Sequence, residues 1–403
     1  MVKLNSMMRY WILTVGCLMA FQLSFGKIYK VKTADEFKQA AGGLIAGDEI
    51  VIASGSYTGW SVSLNTSGTE KKPIVIRAEV AGKVIFTGEV RQSIFKITGN
   101  YVQIKGLSFE GCSLFKEKGA DVVLIQMDAT SYGRLTACTF SKNSVDAQFM
   151  PIVVLSGNGG HNRVDNCSFN SNVNNMEVQV RVGANEVPLY TLVDHNVFMD
   201  KDSVTWKAYN GGECVQIGQD PILLGNRYAY ATVRDNRFIR CNGEPEVISN
   251  KASGNKYINN YFEGCHGELV MRGGHECLVD SNTFAGGTGG VRVNGTAHVI
   301  SNNSFGNLPV AIRLMYGMAK GKIDTGFYIA ASDCIIKNNR ISHCNTGIII
   351  GGGKNADWTG KFDTKRYPSR TMQDIAPFNN EFINNSITDT RVPTLTGDSK
   401  STQ

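Results

Sequence analysis

Beyond residue 100 the chain keeps returning to one phrase, a β-branched run followed by Asn-x-Phe or a close variant. Val233-Arg234-Asp235-Asn236-Arg237-Phe238 and Tyr257-Ile258-Asn259-Asn260-Tyr261-Phe262 are two copies, and the next two close at Phe284 and Phe305. Their closing aromatics lie 24, 22 and 21 residues apart. Earlier copies close at Phe109, Phe140, Phe169 and Phe198, and later ones at Ile341 and Ile387. A period in the low twenties, built from short strand-like pieces, is the mark of a solenoid. The Leu-x-x-Leu-x-Leu frame of leucine-rich repeats is absent. Helical repeats are longer and carry a 3.6-residue periodicity. The pattern therefore predicts an all-β fold, a right-handed parallel β-helix in which each coil hydrogen-bonds to the next. Longer gaps, such as the 40 residues between Phe198 and Phe238, imply loops inserted into a coil.

Asn stands two positions before the anchor in seven of ten copies, which predicts an internal ladder of stacked amides. Asn236, Asn260, Asn282 and Asn303 are its centre. Cysteines follow the same frame: Cys241 and Cys265 each lie three residues after an anchor, while Cys138 and Cys167 take the Asn position. Stacked on neighbouring coils, Cys241 and Cys265 are close enough either to pair or to remain buried thiols. Thr33-x-x-Glu36 opens a short helix with a capping-box pattern, and Phe37, Ala40, Ala41 and Leu44 give it an apolar face. Such a helix would plug the open end of the coil, which begins at Asp48-Glu49-Ile50-Val51-Ile52. The reading is one domain over residues 27–391, with a loose tail at 392–403.

Residues 1–26 read as an export signal: Lys3 and Arg9, an apolar run from Tyr10 to Leu23, then Ser24-Phe25-Gly26. Cys17 faintly resembles a lipoprotein site, but the apolar run continues past it. That run is shorter than the ~20 residues a membrane span needs, so the expectation is a periplasmic or secreted protein with no span. The net charge of +6 includes two basic and no acidic residues of the signal, leaving +4 on the mature chain. Mild basicity fits a polyanionic partner. Nucleic acid is disfavoured, because no Lys/Arg-rich run interleaves with aromatics.

Strand residues alternate inward and outward. Counted from the anchors, Glu246, Val270, Arg292 and Arg313 share the eighth position of successive coils, flanked by apolar neighbours such as Val291 and Val293. The eighth position should therefore face out. Glu244 lies on the same outer face as Glu246, Glu268 should stack under Glu244, and Arg272 falls on that face one coil on. Carboxylates converging on a surface strand suit a hard cation such as Ca²⁺, and a solvated ladder neutralised by Arg292 and Arg313 fits the spacing equally.

Asn210-Gly211-Gly212-Glu213, Glu244-Pro245-Glu246, Lys251 and Arg272-Gly273-Gly274-His275, in this order and spacing, resemble the site of polysaccharide lyases of family six, which includes alginate lyases and chondroitinase B. The resemblance covers essentially the whole mature chain and implies a right-handed parallel β-helix. It implies that Asn210, Glu213, Glu244 and Glu246 hold Ca²⁺, that Lys251 is the base and that Arg272 is the acid. His275, Arg292 and Arg313 are expected to meet the acidic polysaccharide, and solvated surface charge is an equal reading of the two arginines. Ala252 and Gly273 depart from the pattern, where relatives often have Ser and His, and both bear on substrate identity. The chemistry agrees: a lysine can take the C5 proton of a uronate only when neutral, which a nearby divalent cation and Arg272 would encourage by depressing its pKa. Guanidinium is a poor acid, so Arg272 is better read as stabilising charge on the leaving oxygen. The expected reaction is calcium-assisted β-elimination of alginate. Dermatan sulfate, pectate, glycoside hydrolysis by paired carboxylates and non-catalytic carbohydrate binding are the alternatives.

Overall fold

The computed structural model describes residues 26–117, 121–220, 226–322, 327–361, 365 and 370–399. The expected export signal, Cys17 included, lies outside the described residues apart from Gly26. Short strands make up three long sheets of 13, 12 and 13 members, and the strands within each pair in parallel. The chain visits the sheets in rotation: Thr232–Arg234 in the first, Arg237–Cys241 in the third, Glu246–Asn250 in the second, then Lys256–Ile258 in the first again. This is the right-handed parallel β-helix read from the repeat.

The anchors set the register. Phe86, Phe109, Phe140, Phe169, Phe198, Phe238, Phe262, Phe284 and Phe305 form one internal stack, with ring centroids 4.5 to 5.2 Å apart. Each ring sits on the next at the ~4.8 Å strand spacing, and burying each contributes about 1.5–3 kcal/mol. The amide ladder runs beside it. Asn236 Nδ2 donates to Asn260 Oδ1, Asn260 to Asn282 and Asn282 to Asn303, each at 3.0 Å. Asn196 extends the ladder at one end and Asn339 and Asn385 at the other. Each Oδ1 also accepts the backbone N–H of the preceding rung, so the corner is satisfied from coil to coil. Cys241 and Cys265 are free, buried thiols.

The helix Ala34–Ala41 begins at Thr33, whose hydroxyl accepts from Glu36 N. Phe37 is fully buried, edge-on to Trp60 and Phe95, and closes the core. Two boundaries differ from the reading. The first coil starts at Ile28–Val31, which pairs with Glu49–Ile52, so the helix is an excursion between strands. The expected loose tail is instead the strand Val392–Ser399, the last member of the second sheet. Val392, Pro393 and Thr394 carry no anchor phrase, and only partnership with Thr346–Gly352 makes them a strand.

Candidate active site

The site lies on the outer face of the second sheet, where two turns have been rebuilt. Gly212 and Gly243 stack backbone on backbone: a Cβ on Gly243 would fall 2.2 Å from the Gly212 carbonyl oxygen. Glycine at both positions lets Glu213 and Glu244, each the next residue, rise side by side. Gly211 has a φ of 91°, open to glycine, and from there its N–H donates to Glu244 Oε2 at 3.0 Å. The neighbouring Asn210 is half-buried, and its backbone carbonyl accepts from Gln148 Nε2 at 2.9 Å.

Glu213, Glu244 and Glu246 are all buried, with one oxygen of each within 4.8 Å of the others. Each carboxylate has one oxygen engaged and one without a partner. Glu213 Oε1 accepts from Gln216 Nε2 at 2.6 Å, Glu244 Oε2 from Gly211, and Glu246 Oε1 from Arg292 Nη2 at 2.5 Å. Glu213 Oε2, Glu244 Oε1 and Glu246 Oε2 are buried without a hydrogen bond. Three buried carboxylates this close, each with an unpartnered oxygen, are an unfavourable arrangement unless a proton or a cation joins them. Burial first, then Glu213 and Glu246, drive the Glu244 carboxyl well above its ordinary range. Burial also pushes Glu246 up, but Arg292, Arg272 and Lys251 outweigh it and hold that group at about 2. An all-oxygen donor set with acidic charge fits a hard divalent cation such as Ca²⁺.

Lys251 follows the strand Glu246–Asn250. Its Nζ donates to Ser249 Oγ at 2.9 Å and lies 3.9 Å from Glu213 Oε1. The side chain is buried; burial first and then Arg272 lower its pKa, against the pull of the three glutamates. Arg272 comes one coil on, with its N–H on the Asn250 carbonyl. Its guanidinium lies 5.0 Å from the Phe327 ring centroid and 5.2 Å from that of Tyr328, and Nε has no partner. Burial alone would lower the Arg272 pKa; Tyr328 and the three glutamates outweigh it, and the net shift is upward.

The register departs from the anchor count at one place. Phe238 pairs with Phe262, yet Glu246 pairs with Glu268 and Ser249 with Val270. The turn Asn242–Pro245 adds two residues and a bulge at Val247 a third, so Glu268 stacks on Glu246 rather than under Glu244. The expected alignment of Glu246 with Val270, Arg292 and Arg313 fails for the same reason, whereas Val270, Arg292 and Arg313 do align. Arg292 and Arg313 face out as expected but are bound to protein. Arg292 grips Glu246, and Arg313 Nε lies 3.0 Å from Glu268 Oε1. His275 is buried at the corner beyond Arg272, with Nδ1 2.6 Å from Thr296 Oγ1 and Nε2 unpartnered. Burial, and then Lys322, lower its pKa to about 4, so it is neutral near pH 7.

Sequence reasoning missed Gln216, Ser249 and Tyr328. Ser249 stands two residues before Lys251 on the same face, a signal within reach. Gln216 joins a relay, accepting from Gln179 Nε2 at 2.6 Å while Gln179 Oε1 accepts from Arg181. Tyr328 comes from an inserted loop and carried no signal.

The family model described as Chondroitinase B matches residues 31–399. Among solved structures, the chain is similar to a mannuronic acid specific family 6 polysaccharide lyase from human gut microbiota. That match has 26% identity and a TM-score of 0.71, covering 90% of this chain and 82% of the other. It is similar to the family 6 alginate lyase AlyGC at 26% identity and TM-score 0.66, covering 93% of this chain and 50% of the other. It also shares its fold with the family 6 polysaccharide lyase Pedsa3628 of Pseudopedobacter saltans, at 22% identity and TM-score 0.65, with 92% of each chain covered. No curated protein matches. With the match to the family running through nearly every described coil, the chain belongs to the chondroitinase B family, polysaccharide lyase family six, and is a polysaccharide lyase.

Proposed function

We propose that this lyase cleaves alginate by β-elimination, with a calcium ion held by Asn210, Glu213, Glu244 and Glu246. The observation that carries the reading is the set of three buried, unpartnered carboxylate oxygens beside a buried lysine of lowered pKa. A bound calcium ion would neutralise the uronate carboxylate and stabilise the enolate-like anion that forms when C5 loses its proton. Lys251, whose pKa burial and Arg272 lower, accepts that proton in its neutral form. The electrons form the C4–C5 double bond as the C4–oxygen bond breaks. Arg272 faces the developing charge on the leaving oxygen, which takes its proton from water. Gln216 and Ser249 hold Glu213 and Lys251 in place. Arg292 and Arg313 orient carboxylates rather than substrate.

Alginate is favoured over dermatan sulfate because its sugars carry one carboxylate each and no sulfate. Two of the three arginines on this face are already committed to Glu246 and Glu268. The relatives at 26% identity are described as mannuronic acid specific and as an alginate lyase. An export signal at residues 1–26 would place the enzyme in the periplasm or outside the cell, where such polymers are met. The test is incubation with mannuronan, guluronan, pectate and dermatan sulfate while following ultraviolet absorbance of unsaturated uronate ends. Absorbance growth on the alginate polymers supports the assignment. Growth on dermatan sulfate or pectate alone replaces the substrate, and reducing ends without absorbance would point to hydrolysis.

A further inference from the structure

From Tyr101 onward, the corner between the second and first sheets carries a residue in the left-handed region on each coil. Toward the C-terminus these are Gly254, Glu276, Ala297, Asp333 and Asn379. On the five coils before the catalytic one they are Tyr101, Tyr132, His161, Tyr190 and Tyr230, with φ between 50° and 57°. Bulky aromatics are poor choices for this conformation, and the later coils show that small or polar residues serve the turn. The five rings stack in one row, with centroids 4.6, 5.0, 5.0 and 5.4 Å apart and planes within 16° of parallel. Mutual stacking offsets the backbone cost. It leaves open why the row is exposed: Tyr132, Tyr190 and Tyr230 are 46%, 49% and 43% accessible.

We propose that this row is an accessory binding strip for the acidic polysaccharide, a second contact zone that delivers the chain to the cleft. Rings stacked face to face turn their edges to solvent, and the edge of an aromatic ring is its electropositive side. The strip therefore presents positive edges and phenolic hydroxyls at a spacing of one coil over about 20 Å. Two residues beyond Tyr132 and His161 stand Arg134 and Arg163, whose side chains are 36% and 34% exposed while their partners Asp165 and Asp194 are fully buried. Cations face solvent there and the matching carboxylates lie beneath. The strip also runs into the site. Tyr230 fills the space over Gly254, where a Cβ would fall 2.7 Å from its ring, and Gly254 is three residues after Lys251. Tyr228 OH donates to Glu276 Oε2 at 3.0 Å, beside His275. Edge charge, flanking guanidiniums and continuity with the residues around Lys251 together select a long anionic glycan as the occupant.

The proposal rests on the uronan reading, and the test separates the two. Tyr132→Phe/Tyr190→Phe/Tyr230→Phe keeps the ring stack and deletes three hydroxyls. Steady-state kinetics on long alginate and on an alginate trisaccharide, too short to reach from the cleft along the strip, give the readout. KM for the polymer should rise at least about tenfold, with trisaccharide kinetics unchanged. Unchanged polymer KM overturns the strip and leaves the catalytic assignment standing. If the wild type cleaves no uronan, retardation of both proteins in alginate-containing gels still decides the strip, equal mobility overturning it. A wild-type dimer that the variant loses would mark the row as a contact between copies and overturn the proposal. Should the triple variant fail to fold, Tyr190→Phe alone is read in the same gel.

Discussion

Replacing Lys251 by arginine puts a permanent cation beside Glu213 and removes the ability to accept a proton. Nζ is anchored 2.9 Å from Ser249 Oγ and 3.9 Å from Glu213 Oε1 in a buried position, so it is a fixed group. Its pKa is lowered by burial and by Arg272, whereas a guanidinium stays protonated at any working pH. General-base catalysis supplies roughly 10²–10⁴-fold, about 2.7–5.5 kcal/mol of barrier. Lys251→Ala loses that whole amount and Lys251→Arg nearly all of it. Were Lys251 merely a clamp on substrate carboxylates, arginine would preserve the attraction and much of the rate. The assay is initial rate by unsaturated-uronate absorbance, with calcium binding by titration calorimetry as the control. Both variants should bind calcium, because none of the orphan carboxylate oxygens accepts from Nζ. An arginine variant retaining more than a tenth of wild-type turnover refutes the base assignment.

Exhaustive chelation should abolish turnover and added Ca²⁺ restore it; full activity after chelation, with no ion found by elemental analysis, returns Glu213, Glu244 and Glu246 to a structural role. Arg292→Gln removes the charge-assisted bond that fixes Glu246, so calcium affinity measured by calorimetry should fall about 10–100-fold, and unchanged affinity excludes the positioning role. Because the base works unprotonated, kcat/KM should rise with pH through a limb below the ordinary lysine value of about 10.4. Arg272→Gln removes one cause of that depression, so in its residual activity the limb should move to higher pH; an unmoved limb means that another group titrates. Asn260→Ala strips partners from Asn236 N and Nδ2, the Val233 carbonyl and Asn282 Oδ1, and should cost about 3 kcal/mol or more by denaturant midpoint.

The fold was legible because a solenoid repeats its reasons. Phe262 and Asn260 occupy the environment of Phe284 and Asn282, so one physical preference is written many times over. The metal-ligand candidates were legible as a motif, and the structure brings Glu213, Glu244 and Glu246 together beside Lys251. What could not be read were departures from the period. Asn242–Pro245 and the bulge at Val247 add three residues without changing the pattern on either side, so counting from Phe238 set Val270 opposite Glu246 where its partner is Ser249. Charge on an outer face reads as solvated, yet Arg292 and Arg313 are drawn in by Glu246 and Glu268, a pairing set by coil stacking across 46 and 45 residues. The last strand, Val392–Ser399, carries no repeat phrase, and its neighbour alone makes it a strand.

The departures and the site coincide for a physical reason. A regular coil offers one outward side chain per strand every ~4.8 Å along the axis, so like charges stacked on it repel at fixed spacing. Drawing three carboxylates to within ligand distance of one another needs two turns that approach more closely than side chains permit. Gly212 against Gly243 supplies that approach, and the insertion before Glu246 brings Glu244 into the same cluster. The interior keeps its ladder through the same coils: Phe238, Phe262 and the Asn236–Asn260 bond are undisturbed. The cost of assembling buried like charges is therefore borne by a scaffold whose stability comes from the opposite side of the strand. Arg292, two coils on from Glu246, offsets part of it from outside, as Arg313 does for Glu268. What remains uncompensated is the electrostatic hole at Glu213, Glu244 and Glu246, and that remainder is what the proposed calcium ion would neutralise.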